Sequence, residues 1–219
     1  MSVLTWNING LSDQKLLLHD TVEYLSAFDV VVLVETHQEF APADLLRDYL
    51  HFGTTAPEAG LRGYGISIFV RDSIASGVSL WVIDANLDVV WLQFPGAVFG
   101  VSSPVFLATC YVPPQGSGRL RSRDVAERFD SLAGHVDRAM ALGEVVLCGD
   151  FNASLQADCS SVTGLRGIAA HGGQLLQICQ AHGLVVFTTS PGGDFHEPTF
   201  RPGLRQGLLV RTMSLCLRH

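Results

Sequence analysis

At 219 residues the chain is long enough for one sizeable domain or at most two small ones. It is 47% hydrophobic with a net charge of −7, and that sign argues against a protein that holds nucleic acid by bulk positive charge. The longest strongly apolar run, VVVLV with its neighbours, falls far short of the roughly 18 residues of a membrane helix, and MSVLTWNING lacks the basic-then-apolar start of a secretory leader.

In chain order, MSVLTW reads as a short strand ending at Asn7. A helix is expected over DQKLLLHDTVEYLSAF, with Leu18, Val22 and Leu25 on one side and Ser12 placed to cap it. DVVVLVET is continuously apolar up to Glu35, as in a strand buried on both faces. PADLLRDYL predicts a short helix with Pro42 in its first turn. Residues 63–112 read as a β meander, GYGISIFVRD, VSLWVID, VVWLQF and VFLATCYV.

The clearest helix is expected over 122–141, where Val125, Phe129, Leu132, Val136 and Met140 form one apolar stripe. EVVLCGD is another buried strand, QLLQICQAHG a helix stopping at Gly183, and LVVFTT a strand. Strands interleaved with helices predict one mixed α/β domain with two sheets. The five cysteines form no CxxC pair. Cys110 and Cys148 lie in strand-like runs where buried thiols are the default, which points to a reducing, intracellular setting.

Four apolar strands end in a polar residue of unusual kind: Asn7, Glu35, Tyr111, and Asp150 with Asn152. Strand ends that converge in this way are where α/β folds keep their sites. In an extended chain Asp150 and Asn152 fall on one side. Each position also has a plain reading. GDFN and Asn7–Gly10 could be turns, Glu35–His37 a capping loop, and Tyr111 a packed aromatic with a wetted hydroxyl.

LTWNINGL, VVLVETH, CYVPP, LCGDFNA and PTF occur in the order and at roughly the spacing of the endonuclease/exonuclease/phosphatase superfamily, which this chain resembles over about residues 1–200. NINGL and ETH look most like the endonuclease domain of non-LTR retrotransposons. The resemblance implies a deoxyribonuclease I-like sandwich of two mixed sheets flanked by helices. It also implies Mg²⁺ or Mn²⁺ as cofactor, with Glu35 as metal ligand and Asn7 beside it. Tyr111 and Asn152 would contact the phosphate, and Asp150 would act on the attacking water. Thr199, Asn9 and His37 would lie along the bound DNA. An enzyme of this kind works on the DNA backbone as a monomer, inside the nucleus if eukaryotic, and serves a reverse transcriptase that this chain does not contain.

The C-terminus departs from that pattern. Every acidic residue lies at or before Glu197, whereas Arg201, Arg205, Arg211 and Arg218 follow it. The superfamily's Ser-x-x-Asp and Asp-His segments have no match, and His219 has no Asp before it. Residues 201–219 are therefore expected to be an atypical basic tail, poorly integrated from about 203 onward, with the last sheet strands incomplete. Two further readings stay open beside the DNA endonuclease. One is a weak or inactive remnant of the domain. The other is a relative acting on abasic DNA, RNA ends, inositol phosphates or sphingomyelin.

Overall fold

The computed structural model of the chain describes residues 1–12, 19–38, 45–54, 65–84, 89–114, 122–157, 165–187 and 215–218. Sheet one has four strands, β1 (Val3–Asn7), β2 (Val30–Val34), β3 (Tyr49–Thr54) and β4 (Ile66–Arg71), in the order β1-β2-β4-β3. Sheet two has six: β5 (Ser79–Ile83), β6 (Val89–Phe94), β7 (Val105–Tyr111), β8 (Glu144–Asp150), β11 (Leu184–Phe187) and β12 (Leu215–Arg218), in the order β11-β12-β8-β7-β6-β5. A small antiparallel hairpin joins β9 (Ser154–Ala157) to β10 (Leu165–Ile168). Each large sheet has one parallel pair, β1 with β2 and β7 with β8, so the carboxyl ends within each pair lie side by side.

The helices are α1 (His19–Ser26), the single turn α2 (Asp72–Ala75), α3 (Ser122–Met140) and α4 (Ala169–His182). All five residues of β2 are buried because both of its faces are covered. Val30, Val32 and Val34 face sheet two, packing with Val90, Leu107 and Val146. Val31 and Leu33 face away, among Leu25 of α1 and Phe69. β8 repeats the pattern, with Val146 and Cys148 between the sheets and Val145 and Leu147 against Val125, Phe129, Leu132 and Val136 of α3. The result is a helix–sheet–sheet–helix sandwich, the α/β architecture expected. Phe129 is 3% exposed, and truncating such a residue to Ala typically costs about 3–5 kcal/mol.

Several boundaries differ from the sequence reading. In the stretch PADLLRDYL, residues 45–48 are bend and turn rather than the expected helix, and Tyr49 opens strand β3, where hydrogen bonding to β4 overrides the local helical pattern; residues 42–44 lie outside the described residues. The expected meander is split: β4 pairs with β2 and β3 in sheet one, and only β5, β6 and β7 run on as neighbours in sheet two. The tail also differs. Leu215–Arg218 pairs with both β8 and β11, so its apolar Leu-Cys-Leu is a sheet strand despite the basic composition around it. Cys110 and Cys148 are free and buried, as expected, whereas Cys179 is disulfide-bonded.

Candidate active site

The inter-sheet face of the sandwich changes character toward one end. On β1 that face runs through Val3, Thr5 and Asn7, and on β8 through Val146, Cys148 and Asp150. The middle rung is already weakly polar, with the Thr109 hydroxyl 3.7 Å from the Cys148 thiol. Burial pushes that thiol up to about 11, with the Thr109 contact partly opposing the shift, and burial also pushes Cys110 well up, so both stay protonated at neutral pH.

One rung further the two sheets are joined by a side chain. Asn7 Nδ2 donates to Glu35 Oε1 at 2.9 Å and to Asp150 Oδ2 at 2.8 Å. A single neutral amide thus holds two carboxylates, one following β2 and one ending β8. Asn7 Oδ1 accepts the Asn9 amide at 3.0 Å. Asp150 Oδ1 accepts the Asn152 amide at 2.9 Å. Both strand ends therefore break into the same side-chain-capped turn.

This geometry corrects the expectation that strand alternation puts Asp150 and Asn152 on one side. The strand stops at Asp150, and Asn152 is left-handed at φ +43. These atoms meet the plain turn reading, with the Asp150 carboxylate capping the turn. Asn152 Nδ2 donates to the Val112 carbonyl at 2.8 Å. Tyr111 pairs with Asp150 in the parallel β7–β8 register and is 5% exposed, among the inter-sheet residues. His37 Nε2 stands 3.5 Å from Glu35 Oε2, an electrostatic contact longer than a good hydrogen bond. Thr199 lies outside the described residues.

The backbone around these groups is strained. Among the described residues five non-glycines have positive φ, and four are here: Asn9, Glu35, His37 and Asn152. Such conformations cost about 1–3 kcal/mol each and cluster at functional sites. Two glycines make room for them. A Cβ on Gly149, at φ +122, would lie 1.9 Å from the Cys110 carbonyl oxygen. One on Gly65, at φ +94, would lie 2.3 Å from Thr36 Oγ1, against the loop that carries Glu35 and His37. Sequence reasoning missed Gly65, and it missed His171, whose Nδ1 is 3.2 Å from the Asn152 carbonyl. A lone histidine in a helix gives no signal of such a contact.

Glu35, Asp150 and the Asn7 amide present hard oxygen donors and negative charge, the chemistry a small divalent cation takes with few protein ligands. Among the described residues no cluster of three or more His, Cys, Asp or Glu side chains stands ready as a ligand set.

The fold and these residues define a two-sheet α/β sandwich with an acidic, amide-bridged site at the carboxyl ends of its strands. The chain belongs to the Endonuclease/Exonuclease/phosphatase family, which matches residues 4–205. Among solved structures it is similar to a 3'-5' exonuclease from Neisseria meningitidis, at 22% identity and a TM-score of 0.64, over 100% of this chain and 87% of that one. It is also similar to a 3' phosphatase from Neisseria bound to a product DNA hairpin, at 22% identity and a TM-score of 0.62, over 98% and 86%. An AP endonuclease from Leishmania major matches at 19% identity and a TM-score of 0.59; there 83% of this chain covers 66% of that protein. Identities this low speak for the fold. Comparison with curated protein sequences finds no significant match.

Proposed function

We propose that this chain is a divalent-metal-dependent phosphodiesterase that nicks DNA, as the endonuclease of a retroelement does to open a target for reverse transcription. The observation that carries the reading is the Asn7 bridge, which brings Glu35 and Asp150 from different sheets to one amide nitrogen. Structural carboxylates more often pair with Lys or Arg; two held by a neutral amide leave negative charge for a cation.

Glu35, with Asn7 beside it, would hold Mg²⁺ or Mn²⁺. The bound ion would supply positive charge to the phosphate and to the departing oxygen. Asp150 takes a proton from the attacking water as its oxygen bonds to phosphorus, and the bond from phosphorus to the leaving sugar oxygen breaks. Donors from Tyr111 and Asn152 hold the phosphate oxygens. In the retroelement setting the ends of Asn9 and His37 lie along the DNA.

A second reading, a domain that keeps the fold with weak turnover, is favoured by one contact. Asn152 Nδ2 is satisfied by Val112 and must leave it to reach a phosphate. The deciding experiment is nicking of supercoiled plasmid with Mg²⁺ or with EDTA, by the parent and by Asp150→Asn. Nicking that needs the metal and falls at least about 10²-fold in the variant is expected, with the melting temperature nearly unchanged. Equal nicking by the variant would reduce GDFN to a turn. A parent inert on plasmid but active on abasic DNA, RNA ends, inositol phosphates or sphingomyelin would move the substrate. A parent inert on all of them would leave the weak domain.

A further inference from the structure

We infer that His171 is a positioning residue, whose imidazole fixes the left-handed backbone of Asn152 and through it the Asp150 carboxylate. The catalytic consequence rests on the phosphodiesterase reading above; the clamp itself rests on geometry.

His171 is the third residue of α4 and is 2% exposed. Its Nδ1 lies 3.2 Å from the Asn152 carbonyl oxygen. A carbonyl can only accept, so Nδ1 carries the proton and the ring is the donor. Nε2 is buried with no hydrogen-bond partner among the described residues, and the Phe129 ring of α3 stands 5.9 Å away, centroid to centroid. The ring is therefore shielded from solvent, which fits a positioning role rather than that of an acid or base. Burying a nitrogen without a partner is unfavourable. Among the described residues, the polar contact the ring makes is with Asn152.

Asn152 needs holding. Even for asparagine, φ +43 is a sparsely used conformation. Three hydrogen bonds keep it there: its amide to Asp150 Oδ1, its Nδ2 to Val112 O, and its carbonyl from His171. In the proposed reaction Nδ2 turns from Val112 to a phosphate oxygen. Two bonds then hold the turn, and the one from His171 is the one that does not draw on Asp150. Without it, Asn152 can relax only by withdrawing its amide from the carboxylate that must meet the water.

The test compares His171→Leu, His171→Asn and His171→Gln in the full chain. An Asn side chain places its NH₂ about where Nδ1 sits, whereas Gln places it one bond further out. In the Leu variant the Asn152 amide should exchange about tenfold faster, while Leu147 in the core strand is unchanged. The Asn variant should return to within about threefold of the parent and the Gln variant should not. The ¹⁵N shift of the parent ring should report a protonated Nδ1. On plasmid, kcat should fall about tenfold in the Leu variant with KM held within about twofold, and recover in the Asn variant. Unchanged Asn152 exchange in a folded Leu variant, equal behaviour of Asn and Gln, or an unprotonated Nδ1 would each overturn the inference. Should the Leu variant fail to fold, the Asn–Gln comparison decides. A parent that cuts no phosphodiester would sink the nuclease reading alone, since exchange and ¹⁵N shift still judge the clamp.

Discussion

Replacing Asn7 with Ala removes the amide that bridges Glu35 and Asp150. Its amide donates to both carboxylates, at 2.9 and 2.8 Å. Hydrogen bonds to charged groups contribute about 1.5–3 kcal/mol each when buried. Asn7 and both acids are only partly buried, so water recovers much of that. The repulsion between the two carboxylates is present in parent and variant alike, because the amide is neutral; what the variant loses is the donor that offset it. The expected destabilisation is about 1–3 kcal/mol, above the roughly ±0.5 kcal/mol of an ordinary surface change. A divalent ion should stabilise each protein by its own linkage term, about 2.7 kcal/mol at 100 times its Kd. Urea denaturation of parent and variant, each with Mg²⁺ and with EDTA, reads all four values. A variant within about 0.5 kcal/mol of the parent in EDTA would refute the reasoning, since the amide would then hold nothing together.

Three other outcomes are expected. Glu35→Gln should weaken Mg²⁺ or Mn²⁺ binding measured by calorimetry, because a charged ligand becomes neutral; unchanged affinity would remove Glu35 from the metal site. Gly149→Ala should destabilise by about 3 kcal/mol or more in urea, as its Cβ would meet the Cys110 carbonyl from a φ of +122; a near-neutral variant would contradict the tight β7–β8 approach. Burial lowers the His51 imidazole below its ordinary 6.5, and burial with Arg138 does the same to His135. Their folded values lie below their unfolded ones, so the unfolded chain binds more protons. Stability is then complete above pH about 6.5 and declines as the pH drops from there through the folded values. Denaturation between pH 8 and 5 should show that decline, and His51→Phe with His135→Phe should flatten it.

The strands that the sequence announces are those covered on both faces. β2 and β8 are unbroken apolar runs because each lies between a helix and the opposite sheet. β3 is harder to see. It is the edge of sheet one, with Tyr49 its single buried residue, and YLHFGT carries no alternation to read. The hairpin of β9 and β10 offers four residues a side. β12 was hidden by the arginines around it, although Leu215–Leu217 is as apolar as any short strand. In the site, Asn7, Glu35 and Asp150 were legible because a polar side chain directly after a buried run has few places to go. Their partners were not. Asn152 turns on a backbone angle, and the amide that joins the two acids is a contact between residues 143 apart in the chain. Local pattern carries no trace of a pairing at that distance.

The left-handed residues at the strand ends set the terms on which this domain can change. Asn9, Glu35, His37 and Asn152 all occupy a conformation that glycine adopts at no steric cost. Mutational drift that ignored turnover would find glycine at His37 favourable, worth about 1 kcal/mol of relieved strain, and chemical denaturation of His37→Gly would read that gain directly. Selection for robustness and selection for chemistry thus pull against each other at the same few residues. A descendant freed from any chemical demand at these turns would be expected to take up glycine here first, while the valines between its sheets stayed as they are.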